Sequence, residues 1–386
     1  MIYYSMLLVK WEKYKKMTLL ESMKMLDYCD FRISGKTKFL ASEIAIITIC
    51  SIIAGGSGYR DMERFGNEKN EWLRSFLQLK NGIPSHDTFR YFWKNLAPAR
   101  FNTCFMQWLD SVSELADGDT VHIDGKCLRR AFSEVGKQPC IVSAYSSREK
   151  LVIGQVKTDE KSNEITAIPN LLNQLYLMGA IVTIDAAGCQ KKIVKKIVKK
   201  HGDYFISLKG NQETFHEEVK GLFDATFKNR NEYFKSYSQT EKGHGRIVTR
   251  KCTQTGYIDW FADKDKWSNL RSLCMIESET INIKDGTTAK DRRFFISSLK
   301  VDPKRALKIA TEHWDIENPL HWTLDMVFDE DHSRIRTGYA VENLAIMRHF
   351  AFDVIRLASS ASGGITNRKK TLTWNDEKLR KAIEAA

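Results

Sequence analysis

The sequence predicts an α/β fold in which a mixed sheet is flanked by helices, and three observations point to it. Through the first 116 residues, apolar side chains recur every three to four positions, the helical period. From residue 119 the texture changes to short β-branched runs, TVHIDG, CIVSAYSS and LVIGQVKT, separated by turns. Helical and strand-like segments then alternate in EITAIPNLLNQLYLMG, AIVTIDA, CQKKIVKKIVKKHG and DYFISLKGN.

In the first region SEIAIITICSII, DMERFGNEKNEWLRSFL and ARFNTCFMQWLDSVSEL read as helices, and Ser85 after Pro84 reads as an N-cap. These helices carry Arg60, Arg64, Arg74, Arg90 and Lys94. Residues 1–116 are therefore an N-terminal helical domain, serving either as a DNA-binding head or as packing alone. The opening MIYYSMLLVKWEKYKKM is unusual enough that translation could begin at Met17 or later. Three hairpin-linked strands followed by alternating helix and strand is the order of an RNase H-like core, assigned to residues 117–223 and resumed at 293–362. Residues 224–292 interrupt it with polar and aromatic strand-like pieces, IVTRKCTQTGYI and SLCMIESETINI, and read as a β-rich insertion. RRFFISSL then returns as a strand, KRALKIATEHWDIENPLHWTLDMVF as a long helix, and AVENLAIMRHFAFDVIRLAS as a closing helix. Residues 363–386 are expected to be a loose polar tail. No internal repeat is visible.

Composition limits the function classes. The 386 residues, 42% hydrophobic and 28% charged, are ordinary for a globular chain. Lys and Arg number 60 against 48 Asp and Glu, a formal charge of +12 that favours a polyanionic partner such as nucleic acid, although solubility alone can use net charge. Cysteines at 29, 50, 104, 127, 140, 189, 252 and 274 form no CxxC pair, which predicts reduced thiols and argues against structural zinc. The longest apolar run, Ile44 to Ala54, is too short to span a bilayer. A soluble, cytoplasmic chain is expected.

Chemistry is sought among the carboxylates. Asp124 ends the first strand of the sheet region and Asp185 the fourth, each followed by a small residue, Gly125 or Ala186. In the expected sheet order those strands are neighbours, so both acids open into one crevice. Two unshielded carboxylates repel unless a divalent cation bridges them. Magnesium suits them better than zinc, because neither acid has a Cys or His beside it as a ligand pair. The plainer reading is that each acid caps a turn. Glu317 is the candidate third ligand. His313, Glu317, His321 and Asp325 recur every four residues and would share a helical stripe, with Trp314 and Trp322 packing beside it. Zinc held by His313, Glu317 and His321 is an alternative that lacks the HExxH spacing. Pro319 should kink or restart the helix between Ile316 and Pro319, at a cost of roughly 3 kcal/mol, and so expose Glu317 near a helix end.

Basic residues surround these acids. Lys191, Lys192, Lys195 and Lys196 open a lysine-rich helix directly after Asp185, with Ile193, Val194, Ile197 and Val198 on its other face. Lys126, Arg129 and Arg130 follow Asp124. His244 and Arg246 sit in KGHGRIVTRK, where glycines allow close backbone approach. All are candidates for DNA phosphate contact, and a solvated lysine helix is the alternative.

With GIPSHDTF, IDGKCLR, VTIDAAGCQ, SLKGNQ, GHGR, FFISSL and HWDIENPLHW followed by FDED, the chain resembles DDE-type bacterial insertion-sequence transposases of the H-repeat-associated (ISAs-type) branch. That resemblance implies an RNase H-like catalytic core with a β-rich insertion. It also implies a catalytic and metal-binding triad at Asp124, Asp185 and Glu317, with His313, His321 and Asp325 in support. Two Mg2+ ions, with Mn2+ as a substitute, would serve cleavage at the ends of an insertion sequence and strand transfer into target DNA. Double-stranded DNA is the implied partner, a homodimer the implied form at synapsis, and the nucleoid the implied location. The chain departs from related enzymes in having His313 and Leu324 where Arg and Lys are common, and Val248 where an acid is usual. A metal-dependent nuclease without strand transfer, or a catalytically silent DNA-binding relic, are the alternatives.

Overall fold

A computed structural model describes residues 17–33, 35, 37–128, 138–158, 164–226, 231–313, 316–358 and 361–386. Helices come first: α1 Leu19–Tyr28, α2 Ala41–Ala54, α3 Tyr59–Glu68, α4 Asn70–Arg74, α5 His86–Asn95 and α6 Pro98–Val112. Thr18 closes a capping box with Glu21 at α1, and the Ser85 side chain accepts from the Thr88 N–H at α5, as its sequence position suggests. The apolar run of α2 is buried on every side within the helical core. No described helix is by itself long and apolar enough to cross a membrane.

The sheet follows. Strands β1 Thr120–Cys127, β2 Cys140–Ser146 and β3 Val152–Lys157 form an antiparallel meander, and α7 Glu164–Gln174 leads to β4 Ile181–Ile184. Next come α8 Lys191–Lys199, β5 Asp203–Leu208 and α9 Glu213–Gly221. β4 lies parallel to both β1 and β5. The segment expected as an insertion supplies β6 Phe234–Gly243, β7 Arg246–Thr255 and β8 Ser272–Asn282, with β9 Thr288–Ser297 spanning its end. These strands do not stand apart from the core sheet. β9 pairs antiparallel with β5, giving one nine-stranded sheet in the order β3-β2-β1-β4-β5-β9-β8-β7-β6. The meander thereby covers the β5 edge that would otherwise present unpaired backbone groups.

After β9 come α10 Pro303–Glu312, a π-helical turn Ile316–Trp322, α11 Thr323–Met326 and α12 Ala340–Leu357. The long helix read from the sequence is therefore broken. α12 is buried along almost its whole length. Its Phe350 ring meets Phe101, Phe105 and Trp108 of α6 at 5.7, 4.5 and 5.2 Å. Asn343 donates to the carbonyls of Trp93 and Leu96 at the end of α5, and Asp353 accepts from the Val152 N–H of β3. One helix thus ties the N-terminal helices to the sheet.

Residues 363–386 are not a loose tail. They form α13 Ile365–Thr373 and α14 Asp376–Ala385, with Leu372, Leu379 and Ile383 almost fully buried in the same core as α1 to α6. Few apolar residues mark this segment, but they fall on one helical face and suffice once a partner surface exists. Lys369 donates to the Val327 carbonyl and lies over the Phe328 ring, so the tail also braces the chain just after α11. Leu379→Ala or Ile383→Ala is expected to destabilise the protein by about 2–5 kcal/mol in urea unfolding. A loose tail would register less than about 0.5 kcal/mol.

Candidate active site

The register of β1 on β4 builds the site. Ile123 pairs with Ile184, so the next residues, Asp124 and Asp185, leave adjacent parallel strands side by side, on strands spaced by about 4.8 Å. Alternation along β1 sends Val121 and Ile123 into the core beneath α7 and α8, and turns His122, Asp124 and Lys126 to the opposite face. Asp185 also holds its own turn, accepting from the Gly188 N–H at 3.3 Å. Asn211 donates to the Ala186 carbonyl and fixes that loop.

Glu317 arrives from above on the π-helical turn. Pro319 has no N–H to give an α-helical ladder, and the chain opens into a wider turn around it. Ile316, Leu320 and Leu324, four residues apart, are buried in the helical core. Glu317, His321 and Asp325 each follow one of these anchors and are carried together toward the end of β1. Glu317 itself is exposed.

A fourth carboxylate, Glu164 at the start of α7, joins them. It was not singled out in the sequence, where an acid in the first turn of a helix reads as a complement to the helix dipole. A Cβ on Gly125 would collide with the Glu164 carboxylate, so that group fills the space left by the missing side chain beside Asp124. Burial pushes the Asp124 carboxyl upward. The Gly125 backbone N–H opposes this, while the charges of Glu164, Asp185 and Glu317 add to it, and the result is about 7. Glu164 is raised too, by burial and by Asp185. Among the described residues no Lys or Arg forms an ion pair with any of these four acids. Nor, as they stand, do any three His, Cys, Asp or Glu of the described residues converge tightly enough to hold a metal ion. This applies equally to the zinc set His313, Glu317 and His321. The donors are oxygens, mutually repulsive and without a protein cation, which fits a hard divalent ion such as Mg2+ once the side chains draw together.

The histidines are neutral framework. His122 is buried on β1, with its imidazole between Ser147 and the Thr183 hydroxyl, at 2.6 Å from the latter. Thr183 also meets His313 Nδ1 at 2.8 Å. A hydroxyl can donate to one ring and accept from the other, so a single hydrogen-bonded chain runs from Ser147 to His313 under the carboxylates. Burial lowers His313 to about 4, against the raising effect of Asp185. His321 Nδ1 stands 3.6 Å from Asp124 Oδ2. Burial and then Lys126 lower His321 to about 4, so at neutral pH this contact is an imidazole dipole against a carboxyl and not an ion pair.

Lys126 is paired within its own chain. Its ammonium lies 2.6 Å from Asp325, 3.2 Å from Glu330 and 3.2 Å from Asp331, and its side chain is only 11% exposed. Burial alone would lower Lys126, but Glu330, Asp325 and Asp331 outweigh it and raise it. Arg348 adds a second cation to Glu330 at 3.5 Å. The partners lie some 200 residues away in the chain, so a lysine two positions after a strand-end acid could not be recognised as internal. Cys127 and Cys140 correct another expectation. They face each other across β1 and β2 and form a disulfide, because strand pairing joins cysteines that no spacing motif marks.

The remaining basic candidates divide. Arg129 lies outside the described residues. Lys192 and Lys195 of α8 are exposed and Lys196 is half-buried. Lys191 pairs with Asp263 and sits 5.8 Å over Trp267, while Lys200 donates to the carbonyls of Asn173 and Leu175. His244 and Gly245, with φ of 49° and 73°, form the tight turn between β6 and β7, which leaves His244 and Arg246 exposed at a hairpin tip. β6 lies six strands from β1, about 29 Å across the sheet, so this tip is no part of the carboxylate cluster. Lys126→Met is expected to cost about 3–5 kcal/mol in urea unfolding by stranding the Asp325, Glu330 and Asp331 charges, with the salt dependence of DNA binding unchanged. A phosphate contact would show the reverse, stability within about 0.5 kcal/mol and a salt slope reduced by about 1.

The family models for a transposase DDE domain and for a DDE_Tnp_1-associated region match residues 117–352 and 24–109. "Putative transposase YncI" of Escherichia coli O157:H7 is 37% identical over 359 residues, covering 91% of this chain and 92% of that protein. "H repeat-associated putative transposase YhhI" of Escherichia coli strain K12 is 37% identical over 358 residues, with 92% of both chains covered. "Putative protein YbfL" of the same strain is 36% identical over equal coverage. The site-bearing strands, the Glu317 segment and most of α12 fall inside the matched region, and the chain belongs to the transposase DDE domain family.

Proposed function

We propose that the protein is a metal-dependent DNA transposase that cuts at the ends of an insertion sequence and joins them to target DNA, with Asp124, Asp185 and Glu317 as its catalytic carboxylates. The observation that carries this reading is the β1–β4 register that sets Asp124 beside Asp185, near enough to Glu317 for its charge to be felt at Asp124, with no Lys or Arg of the described residues paired to these acids. Glu330, by contrast, is met by both Lys126 and Arg348. Family membership gives the substrate class, DNA. The β1-β4-β5 parallel trio flanked by the β2–β3 meander supports an RNase H-like core, built from residues 117–223 and 293–362 and extended by 224–292.

In this reading Asp124, Asp185 and Glu317 would hold divalent cations, which would supply activation of the attacking oxygen and charge relief on the leaving one. The protein's own contribution is placement. β1 and β4 fix two carboxylates by backbone register, and the buried Ile316, Leu320 and Leu324 hold the third over them. Exposed Lys192 and Lys195 on α8 would take phosphate charge beside Asp185, and Arg246 would meet a more distant stretch of duplex. Two element ends call for two such sites, met by a homodimer at synapsis.

The test is nicking of labelled element-end duplex in Mg2+, followed by capture of the label in target DNA. Asp124→Asn, Asp185→Asn and Glu317→Gln are each expected to lose cleavage by about a thousandfold, since several kcal/mol of transition-state stabilisation goes with the ligand, while still binding the duplex. Cleavage by all three at the parent rate would remove the reading. Cleavage without any joined product would leave a nuclease.

A further inference from the structure

Two buried nitrogens close to the acids have no hydrogen-bond partner among the described residues, His321 Nε2 on the π-helical turn and His349 Nδ1 on α12. His349 is 2% exposed and the His321 side chain 13%. Buried polar atoms are ordinarily paired, so two orphans in one place ask for an occupant. Both residues line the same small cavity, with Lys126 and Glu330 beside them and an apolar wall that includes Leu324 and Ala345. Its volume, about 10 Å³, is that of a single water-sized sphere.

We infer that one water molecule is bound in this cavity, accepting from His349 Nδ1–H and donating to His321 Nε2, and that His349 thereby holds the N–H of His321 on Nδ1, facing Asp124. A water has two hydrogens to give and two lone pairs to fill. The lining offers matching partners, with Glu330 an acceptor beside His321 Nε2, and the Lys126 ammonium a donor beside His349. Burial, then Lys126 and Arg348, keep His349 neutral by lowering it to about 3. A neutral imidazole has one N–H and one bare nitrogen, so a hydrogen bond received at one nitrogen decides what the other presents. His321 Nδ1 stands 3.6 Å from Asp124 Oδ2. With its N–H there, the ring turns a positive edge to the carboxyl; with the N–H on Nε2 it would turn a lone pair. His349 is in this way a positioning residue, acting on Asp124 through the water and His321. Its bearing on cleavage rests on the metal-dependent reading above, whereas the water and the tautomer do not.

The test is nitrogen NMR of the 15N-histidine-labelled full chain, without metal or DNA, with the His321 signals identified by their loss in His321→Gln. The parent is expected to show His321 protonated on Nδ1 alone. His349→Leu, which removes the ring nitrogen, and Ala345→Val, which fills the cavity and keeps both histidines, should each give a mixture of tautomers. His349→Asn, which keeps a polar group near the Nδ1 position, should restore the parent state. Mg2+-dependent nicking of element-end duplex should fall by about 10–100-fold in His349→Leu and Ala345→Val and recover in His349→Asn. A parent His321 protonated on Nε2, or mixed, overturns the inference without any variant. So does a parent-like tautomer in Ala345→Val, which would leave no part for a water, or parent-like nicking in variants whose tautomer is lost. If Asp124→Asn also nicked as the parent does, the failure would lie in the metal-dependent reading itself. Thermal melting identifies a variant that fails to fold, and the parent spectrum with the remaining variants then decides.

Discussion

Like charge gathered at low dielectric is the constraint on which this molecule depends. A carboxyl raised to about 7 by burial and by neighbouring acids would move away if its backbone allowed. It does not, because Asp124 lies within β1, paired with Ser143 of β2 and one residue past the last pair with β4. The Glu317 segment is fixed differently, by apolar anchors at every fourth residue set into the helical core. Rigid strand and packed turn together hold charges in a geometry that is unfavourable alone, the usual condition of a prearranged site.

The neutral histidines belong to the same design. Protonated imidazoles under the carboxylates would offset their charge and compete with any cation. Burial keeps His313 and His321 uncharged at neutral pH, and the Thr183 hydroxyl lets His122 and His313 share one hydrogen-bonded chain without a proton in excess. Lys126 is close by yet fully spoken for by Asp325, Glu330 and Asp331. Among the described residues, exposed Lys192 and Lys195 stand on α8, the helix that follows Asp185.

How much of this was legible in the sequence depends on how local each signal is. A β-branched run meeting Asp then Gly, a second meeting Asp then Ala, and Pro319 after Glu317 are local patterns; Asp124 and Asp185 each follow the last paired residue of β1 and β4, although β1 itself runs on to Cys127. The strand order was legible for the same reason, since hairpins and crossovers follow from segment spacing. Glu164 was not, because its meaning comes from Gly125, a residue on another element. The partners of Lys126 were not legible, because all three come from far along the chain. The pairing of Cys127 with Cys140 and the docking of α13 and α14 escaped notice likewise, as both are set by tertiary contact with little local trace. Continuation of the sheet through β9 could be decided only by the free edge of β5.

The burial of α12 bears on how the polypeptide is made. Its Asn343 closes on Trp93, a separation of 250 residues, and Phe350 completes the aromatic cluster opened by Phe101, Phe105 and Trp108. While the ribosome is still working through the sheet, the α5 and α6 faces have nothing to close on and stay sticky. Maturation therefore waits for the far end of the message, and a frameshift or early stop ahead of residue 340 yields a client for chaperones and proteases instead of a stable shortened competitor.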